Sequence, residues 1–280
     1  SMEQCSSQST AEYKASLVGG GVFTDLTGGT GVDTWELSKL FEKGNYVEQD
    51  GGLALLARSN LSALKRKNVE VHSATAERYL ASISETVDCI YIDPARRDDN
   101  KNRVFLLEDC TPDIVQLLPQ LRAKANQVLI KTSPMMDIDL AIKSLGPINE
   151  VHIVAVENDC KEVLYLISET QPDDPRLFMV NFKKSKMERL QSTITGVNTA
   201  HASFSVPMKY LYEPNAAIMK AGAFAYVSEK FSIPKLHKHT HLYTSEKLLT
   251  EFPGRTFKIE QLLPRSEEHT SELQSPVPNS

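Results

Sequence analysis

Two short stretches hold the residue types that chemistry needs. The first, Asp25-Leu26-Thr27-Gly28-Gly29-Thr30-Gly31-Val32-Asp33, follows a β-rich run and opens a helical one. Glycines there let the chain turn tightly, and the N–H groups at the start of a helix face whatever ligand sits against them. The dinucleotide fingerprint G-x-G-x-x-G is met only in part, because Gly29 and Gly31 fit while its third position is Thr34. A cofactor without a pyrophosphate is therefore favoured. Glu48, at the end of the next β-rich run, is placed to accept both hydroxyls of a ribose. Asp25, Thr27, Gly28, Gly29, Gly31 and Glu48 are thus the candidate cofactor-binding residues, against the competing reading of a purely structural glycine turn.

The second stretch, Asp93-Pro94-Ala95-Arg96-Arg97-Asp98, ends the fourth β-rich run, where ligands of open α/β sheets bind. Proline stiffens this turn, so the Asp93 carboxylate can hold a nucleophile in line for transfer, and catalysis would come largely from proximity and orientation. A simple capping role for Asp93 is the alternative. Cys5, Cys89, Cys110 and Cys160 are widely spaced, which fits reduced structural thiols and neither a zinc knuckle nor a disulfide framework. Cys160 is the one thiol that could be proposed as a nucleophile, and a structural role is the simpler reading. His237, His239 and His241 alternate as on one face of a strand, but no cysteine or carboxylate joins them at ligand spacing. No metal site is expected, and Lys235 to His241 is expected to form a surface strand or an RNA-facing edge.

These residues need a scaffold. The 280 residues, 41% hydrophobic and 24% charged, are enough for one large domain or two small ones. The net charge of −5 excludes a surface that is basic throughout, so any nucleic-acid contact must be regional. No apolar run approaches the roughly 20 residues of a membrane span, and the polar start lacks the pattern of a signal peptide, so a cytoplasmic protein is expected.

Short β-rich runs at 22–26, 45–48, 69–73, 87–93, 127–131, 150–157 and 162–168 alternate with helical patterns, predicting a parallel sheet covered by helices. Leu53, Leu56, Ala57, Leu61 and Leu64 form one apolar stripe. Ile114, Leu117, Leu118 and Leu121 form another, behind Thr111 as N-cap and Pro112 at the first helical position. A third helix follows Asp137. Only Asn158 to Lys161 separates the last two runs, too short for a crossover, so they must pair antiparallel. After the break at 171–175, β-rich runs at 176–182 and 202–212, helices at 216–225 and 245–252 and a strand at 256–261 suggest a second module.

The motifs EQCSSQSTAEYKA, DLTGGTGVDT, YVEQD, IYIDPARRD, LEDCTPD, LIKTSPMMDID and YLYEPNAAIMKAGAF, with HLYTS and FPGR downstream, resemble those of bacterial class I S-adenosylmethionine-dependent methyltransferases with a C-terminal THUMP-like domain. The resemblance implies a Rossmann-like α/β methyltransferase sheet over 1–170 that ends in an antiparallel hairpin. It also implies small α+β segments, ferredoxin-like at 171–206 and THUMP-like at 207–264. Residues 265–275 read RSEEHTSELQS, which resembles the translation of a sequencing adapter, so 265–280 is expected to be a non-native tail and the chain a fragment lacking a helical N-terminal domain. The implied cofactor is S-adenosyl-L-methionine, and the implied substrate is RNA, methylated at a base nitrogen.

In that reading Asp93 is the catalytic residue, also touching the cofactor, with Pro94, Arg96, Arg97, Ser133 and Pro134 on the substrate. Two departures matter. Thr75 and Ala76 stand where an acidic residue usually meets the adenine amino group, and Asp93-Pro94-Ala95-Arg96 lacks the aromatic that stacks on a flipped base. Arg96 would stack or bind phosphate instead. Lys101 and Arg103, then Lys183, Lys184 and Lys186, are candidate RNA contacts, with Tyr210, Tyr212 and Phe224 as candidate platforms. Lys131-Thr132-Ser133-Pro134 carries no cysteine, which disfavours methylation of pyrimidine carbon 5. The alternatives are a non-catalytic RNA-binding protein that keeps the cofactor fold, a methyltransferase for a protein or small molecule, and, last, an NAD-dependent oxidoreductase.

Overall fold

The structure, a computed structural model, describes residues 6–96, 106–184 and 186–263. Arg97, Lys101, Arg103, Cys5 and the tail from 264 onward lie outside these residues. Helix α1 (Gln8–Ser16) precedes β1 (Val22–Asp25), α2 (Val32–Leu37), β2 (Lys43–Glu48), α3 (Gly51–Ala63), β3 (Val69–Ser73), α4 (Ala76–Ser82) and β4 (Val87–Ile92). Two-residue strands β5 (Ala95–Arg96) and β6 (Cys110–Thr111) follow, then α5 (Ile114–Lys124), β7 (Ala125–Thr132) and α6 (Ile138–Leu145). The chain continues through β8 (Glu150–Val156), β9 (Asp159–Ser168), β10 (Arg176–Phe182), β11 (Met187–Thr193) and α7 (Ile194–Thr199). It ends with β12 (Tyr210–Pro214), α8 (Ala216–Lys220), α9 (Phe224–Phe231), β13 (Tyr243–Ser245) and β14 (Gly254–Lys258).

The main sheet has nine strands in the order β11-β10-β8-β9-β7-β4-β1-β2-β3. Strands β3, β2, β1, β4 and β7 are parallel, while β9 runs antiparallel to both β7 and β8. The expected Rossmann-like sheet with its antiparallel hairpin is therefore present, and β10 and β11 extend it beyond the hairpin. Its central strands are continuous apolar runs because helices cover both faces: Val128, Leu129 and Ile130 of β7 and Val163, Leu164 and Tyr165 of β9 are all buried. A separate sheet, β13-β12-β14, is antiparallel throughout.

Several local expectations are corrected. Residues 176–193 do not start a separate module, since β10 pairs in parallel with β8 over its full length and β11 closes that edge. Strand β11, between the β-rich runs expected at 176–182 and 202–212, is polar because its alternating burial leaves about every second side chain in solvent. Helix α3 is phased by its N-cap Asp50, whose carboxylate accepts the Gly52 and Leu53 N–H groups, so Ala54, Ala57 and Leu61 face inward and Leu56 and Leu64 stay exposed. Thr111 does not cap α5. It pairs with Ala95 across the β5–β6 ladder, and Asp113 caps the helix by accepting the Gln116 N–H.

The helix expected at 216–225 is two helices, broken at Gly222 with φ +64°. No helix forms at 245–252, because the Tyr212 hydroxyl takes the Leu249 N–H and donates to the Lys247 carbonyl. The Lys235 to His241 segment is a turn rather than a strand: the Thr240 N–H returns to the His237 carbonyl, and the His241 ring stacks on Phe224 at 3.7 Å.

Helix α1 is nailed to the sheet by polar groups rather than by an apolar stripe. The Tyr13 hydroxyl meets His152 Nδ1 at 2.8 Å, and Lys14 Nζ donates to both Glu162 oxygens at 2.9 and 2.8 Å. Lys14 and Glu162 are 1% and 2% exposed, so neither charge could sit there alone. We expect Glu162→Gln to lower unfolding stability by about 3 kcal/mol in urea titration. The double change Lys14→Met, Glu162→Leu should recover most of that loss.

Candidate functional site

The C-terminal ends of β1 and β4 lie side by side where the strand order reverses, and their loops are laced together. The Leu26 N–H donates to the Tyr91 carbonyl at 3.0 Å, and the Asp93 N–H donates to Thr27 Oγ1 at 2.7 Å. This edge holds a cavity of about 440 Å³, inside the range of roughly 300–1,000 Å³ usual for ligand sites.

Asp25 closes its floor. Oδ1 accepts the Thr27 N–H at 3.0 Å and Oδ2 accepts the Thr34 hydroxyl at 2.5 Å, so the third fingerprint position that fails to be glycine acts as a partner to Asp25. Burial pushes the Asp25 carboxyl up to about 7 against those two hydrogen bonds. Gly28 packs so tightly on Tyr46 that a Cβ would come within 2.1 Å of its ring, and Gly31 opens α2 with φ +82°. The Tyr46 hydroxyl donates to the Gly29 carbonyl at 2.6 Å, and Glu48 accepts the Gly29 N–H at 2.9 Å and the Asp50 N–H at 2.8 Å. Each Glu48 oxygen keeps a free lone pair for a further donor. Opposite, Leu53, Ala74 and Ala76 form an apolar wall beside Thr75, which caps α4.

Asp25, Thr27, Gly28, Gly29, Glu48, Thr75, Ala76 and Asp93 all line the same cavity. Gly31 shapes the turn without lining it. Pro94, Ser133 and Pro134 lie off the lining, and Ser133 Oγ accepts the Met135 N–H in an ordinary turn. Arg96 is placed by its backbone alone, paired with Cys110. Among the candidate RNA contacts, Lys183 pairs with Glu188, Lys184 and Lys186 are exposed, and Tyr212 belongs to the core. Burial raises the Cys160 thiol to about 11, which fits an inert thiol. Among the described residues no group of three or more His, Cys, Asp or Glu side chains could hold a metal ion.

The sequence reading missed a buried charge cluster behind the cavity. Asp33 lines the cavity and accepts the Ser6 and Tyr91 hydroxyls at 2.9 and 2.8 Å, while Lys14 Nζ stands 3.3 Å from its other oxygen. On the far side, Lys131 Nζ donates to the Asp93 carboxylate. Burial raises the Asp93 carboxyl, with Lys131 pulling the other way. Burial would discharge Lys131, but Asp93, Glu162 and Asp33 outweigh it and keep the ammonium. No spacing in the sequence signals this cluster; a lysine at a buried position of α1 becomes visible only once the helix docks.

Sheet order and cavity together define a Rossmann-like α/β protein of the methyltransferase type. A crystal structure from Porphyromonas gingivalis W83, described as a "putative methyltransferase", aligns with a TM-score of 0.86 and 33% identity over 95% of this chain and 67% of that one. The chain belongs to the same family as that protein. A ferredoxin-like domain family matches residues 210–253, which places that likeness on the segment from β12 to just before β14 and not on 171–206. Weaker likenesses are an rRNA methylase from Streptococcus thermophilus (TM-score 0.43, 14% identity, 58% of this chain and 96% of that one) and a Streptococcus mutans protein solved with SAH (0.40, 16%, 57% and 96%). No curated protein sequence matches the chain. No helix among the described residues is long and apolar enough to cross a membrane.

Two outcomes follow from this geometry. Because the folded protein holds the Asp25 proton far more tightly than the unfolded chain, the site costs nothing below the ordinary 3.8, and its cost grows as pH rises towards about 7, then levels off. The stability advantage of Asp25→Asn over the parent should therefore grow by about 4 kcal/mol between pH 4 and pH 8 in urea unfolding. Gly28→Ala should drive the loop off Tyr46 and weaken binding of the cavity's ligand at least tenfold by calorimetry.

Proposed function

We propose that the protein is an S-adenosylmethionine-dependent methyltransferase acting on structured RNA. The observation that carries this reading is one cavity joining a carboxylate at the end of β2, an apolar wall before α4, the turn after β1 and the Asp-Pro end of β4. The residues fit the cofactor. Glu48 has the free lone pairs to accept ribose hydroxyls, the wall of Leu53, Ala74 and Ala76 suits the adenine face, and the acidic floor of Asp25 and Asp33 suits an ammonium. When bound, the cofactor supplies an electrophilic methyl group on a sulfonium.

The protein's own residues do the rest. The loop after β1 is held by Tyr46 and Glu48 before any ligand arrives, so little ordering accompanies binding. Asp93, fixed by its own N–H to Thr27 and by Lys131 at its carboxylate, accepts a hydrogen bond from the acceptor and aims it. RNA as substrate is supported by the family resemblance, by the basic residues that follow Asp93 in the sequence and by those on the β10–β11 turn. Asp93-Pro94-Ala95-Arg96 carries no ring to stack on a flipped base, so the expected base nitrogen lacks its usual support there, and the charges around Asp93 bear on the choice of acceptor atom.

Calorimetric titration with S-adenosylhomocysteine tests the cofactor. Saturable binding is expected, weakened at least tenfold by Glu48→Ala, with NAD giving none. Asp93→Ala should keep that affinity within about twofold while methyl transfer to RNA lacking modifications falls by a hundredfold or more. A folded protein that binds neither ligand refutes the reading. Equal loss of binding in the Glu48 and Asp93 variants refutes the division of roles.

A further inference from the structure

Asp93 does not stand alone at the acceptor end of the cavity. Four charged side chains form a row that runs from the partly exposed end of the cavity inward: Lys131 at the end of β7 contacts Asp93, which lies just past β4 with its side chain 34% exposed, and buried Lys14 of α1 contacts buried Glu162 of β9. Lys131 also feels Glu162 and Asp33, and Asp93 feels Lys14, so the two pairs act as one set. Lys14 is fully used, its ammonium donating to Ser6 and to both Glu162 oxygens. Lys131 has one partner, Asp93, among its described hydrogen bonds, and an ammonium has three protons to give.

An ammonium at this point discriminates between acceptor atoms. A neutral nitrogen that takes a methyl group becomes positively charged before it loses a proton, and a neighbouring ammonium in a poorly solvated site opposes that charge. A hydroxyl behaves in the opposite way. It attacks as its proton leaves, its oxygen gathers negative charge, and the same ammonium stabilises it. The carboxylate beside it serves as the proton acceptor. The chain also has Ala95 and Arg96 after Asp93-Pro94, with no ring in the place that would stack on a flipped base, and Ala95 is held in the ladder with Thr111.

We infer that the acceptor is a hydroxyl oxygen, and, given the RNA substrate proposed above, on which this inference rests, the 2′-hydroxyl of a ribose. The hydroxyl oxygen forms the new bond to the methyl carbon, and the carbon–sulfur bond breaks with its electron pair going to sulfur. The hydroxyl proton passes to the Asp93 carboxylate and from there to water. Lys131 donates a hydrogen bond to the oxygen as it becomes negative, and Glu162 with Lys14 holds the row in place. The 2′-hydroxyl is also the group that distinguishes RNA from DNA.

The test is to methylate unmodified RNA with the full chain and isotope-labelled S-adenosylmethionine, digest the product to nucleosides and locate the label by mass spectrometry. Label on the ribose, with the labelled linkage resistant to alkaline cleavage, is the expected result. Label on a base overturns the inference and leaves the RNA methyltransferase reading standing, whereas no label in RNA overturns both. Lys131→Met should lower transfer at least a hundredfold while S-adenosylhomocysteine affinity stays near that of the parent, the retained binding showing that the variant is folded. Lys131→Arg, which keeps the charge, should retain more transfer than Lys131→Met. Unchanged transfer in Lys131→Met, or an equal loss of cofactor affinity, removes Lys131 from the chemistry.

Discussion

The parallel pairing of β1 with β4 is the constraint on which the site depends. It makes both chains leave the sheet at the same edge and in the same direction, so Asp25 and Asp93 end up against one cavity although they are far apart in the chain. The strand order reverses at this pair, with β2 and β3 on one side and β7 on the other, and a crevice must open there because successive crossovers depart to opposite sides. Two hydrogen bonds between the loops, through Tyr91 and Thr27, then set the crevice's width.

A site of this kind carries an electrostatic cost. Asp25, Asp33, Asp93 and Glu162 crowd acidic groups behind and around the cavity, and burial pushes three of them, Asp25, Asp93 and Glu162, above their ordinary range. Two lysines offset this from opposite sides. Lys14 reaches in from α1 to Glu162 and Asp33 and Lys131 from β7 to Asp93, and these carboxylates outweigh the burial that would otherwise discharge Lys131. Helix α1 thus serves the site as well as the fold: without it Glu162 and Asp33 lose their counter-charge and Ser6 leaves the cavity lining.

The last third of the chain is joined to the main sheet more closely than its sequence suggests. Strand β10 extends the sheet beyond β8 in register from Arg176 to Phe182, and Asn215 at the start of α8 reaches Glu188 of β11. The unit that matches a ferredoxin-like family is accordingly anchored through the edge strands, with Asn158 of the hairpin turn accepting the Ala216 N–H.

Local signals determined much of this protein before any tertiary structure: continuous apolar runs mark strands covered on both faces, a four-residue connection compels an antiparallel hairpin, and a glycine-rich turn between strand and helix marks the ligand edge. These are short-range properties of the chain, so Asp25, Gly28, Glu48 and Asp93 could be named from it, whereas Thr75 came only with the family resemblance. Helix phase and helix ends were less legible, because Asp50 and Asp113 compete with neighbouring residues as caps and the winner depends on what Thr111 and the leucines of α3 meet elsewhere. The charged row was not legible at all. Lys14, Lys131 and Glu162 are ordinary residues in ordinary patterns, and only the docking of α1 over β9, beside β7 and β4, takes them out of water, where a charge must find its partner.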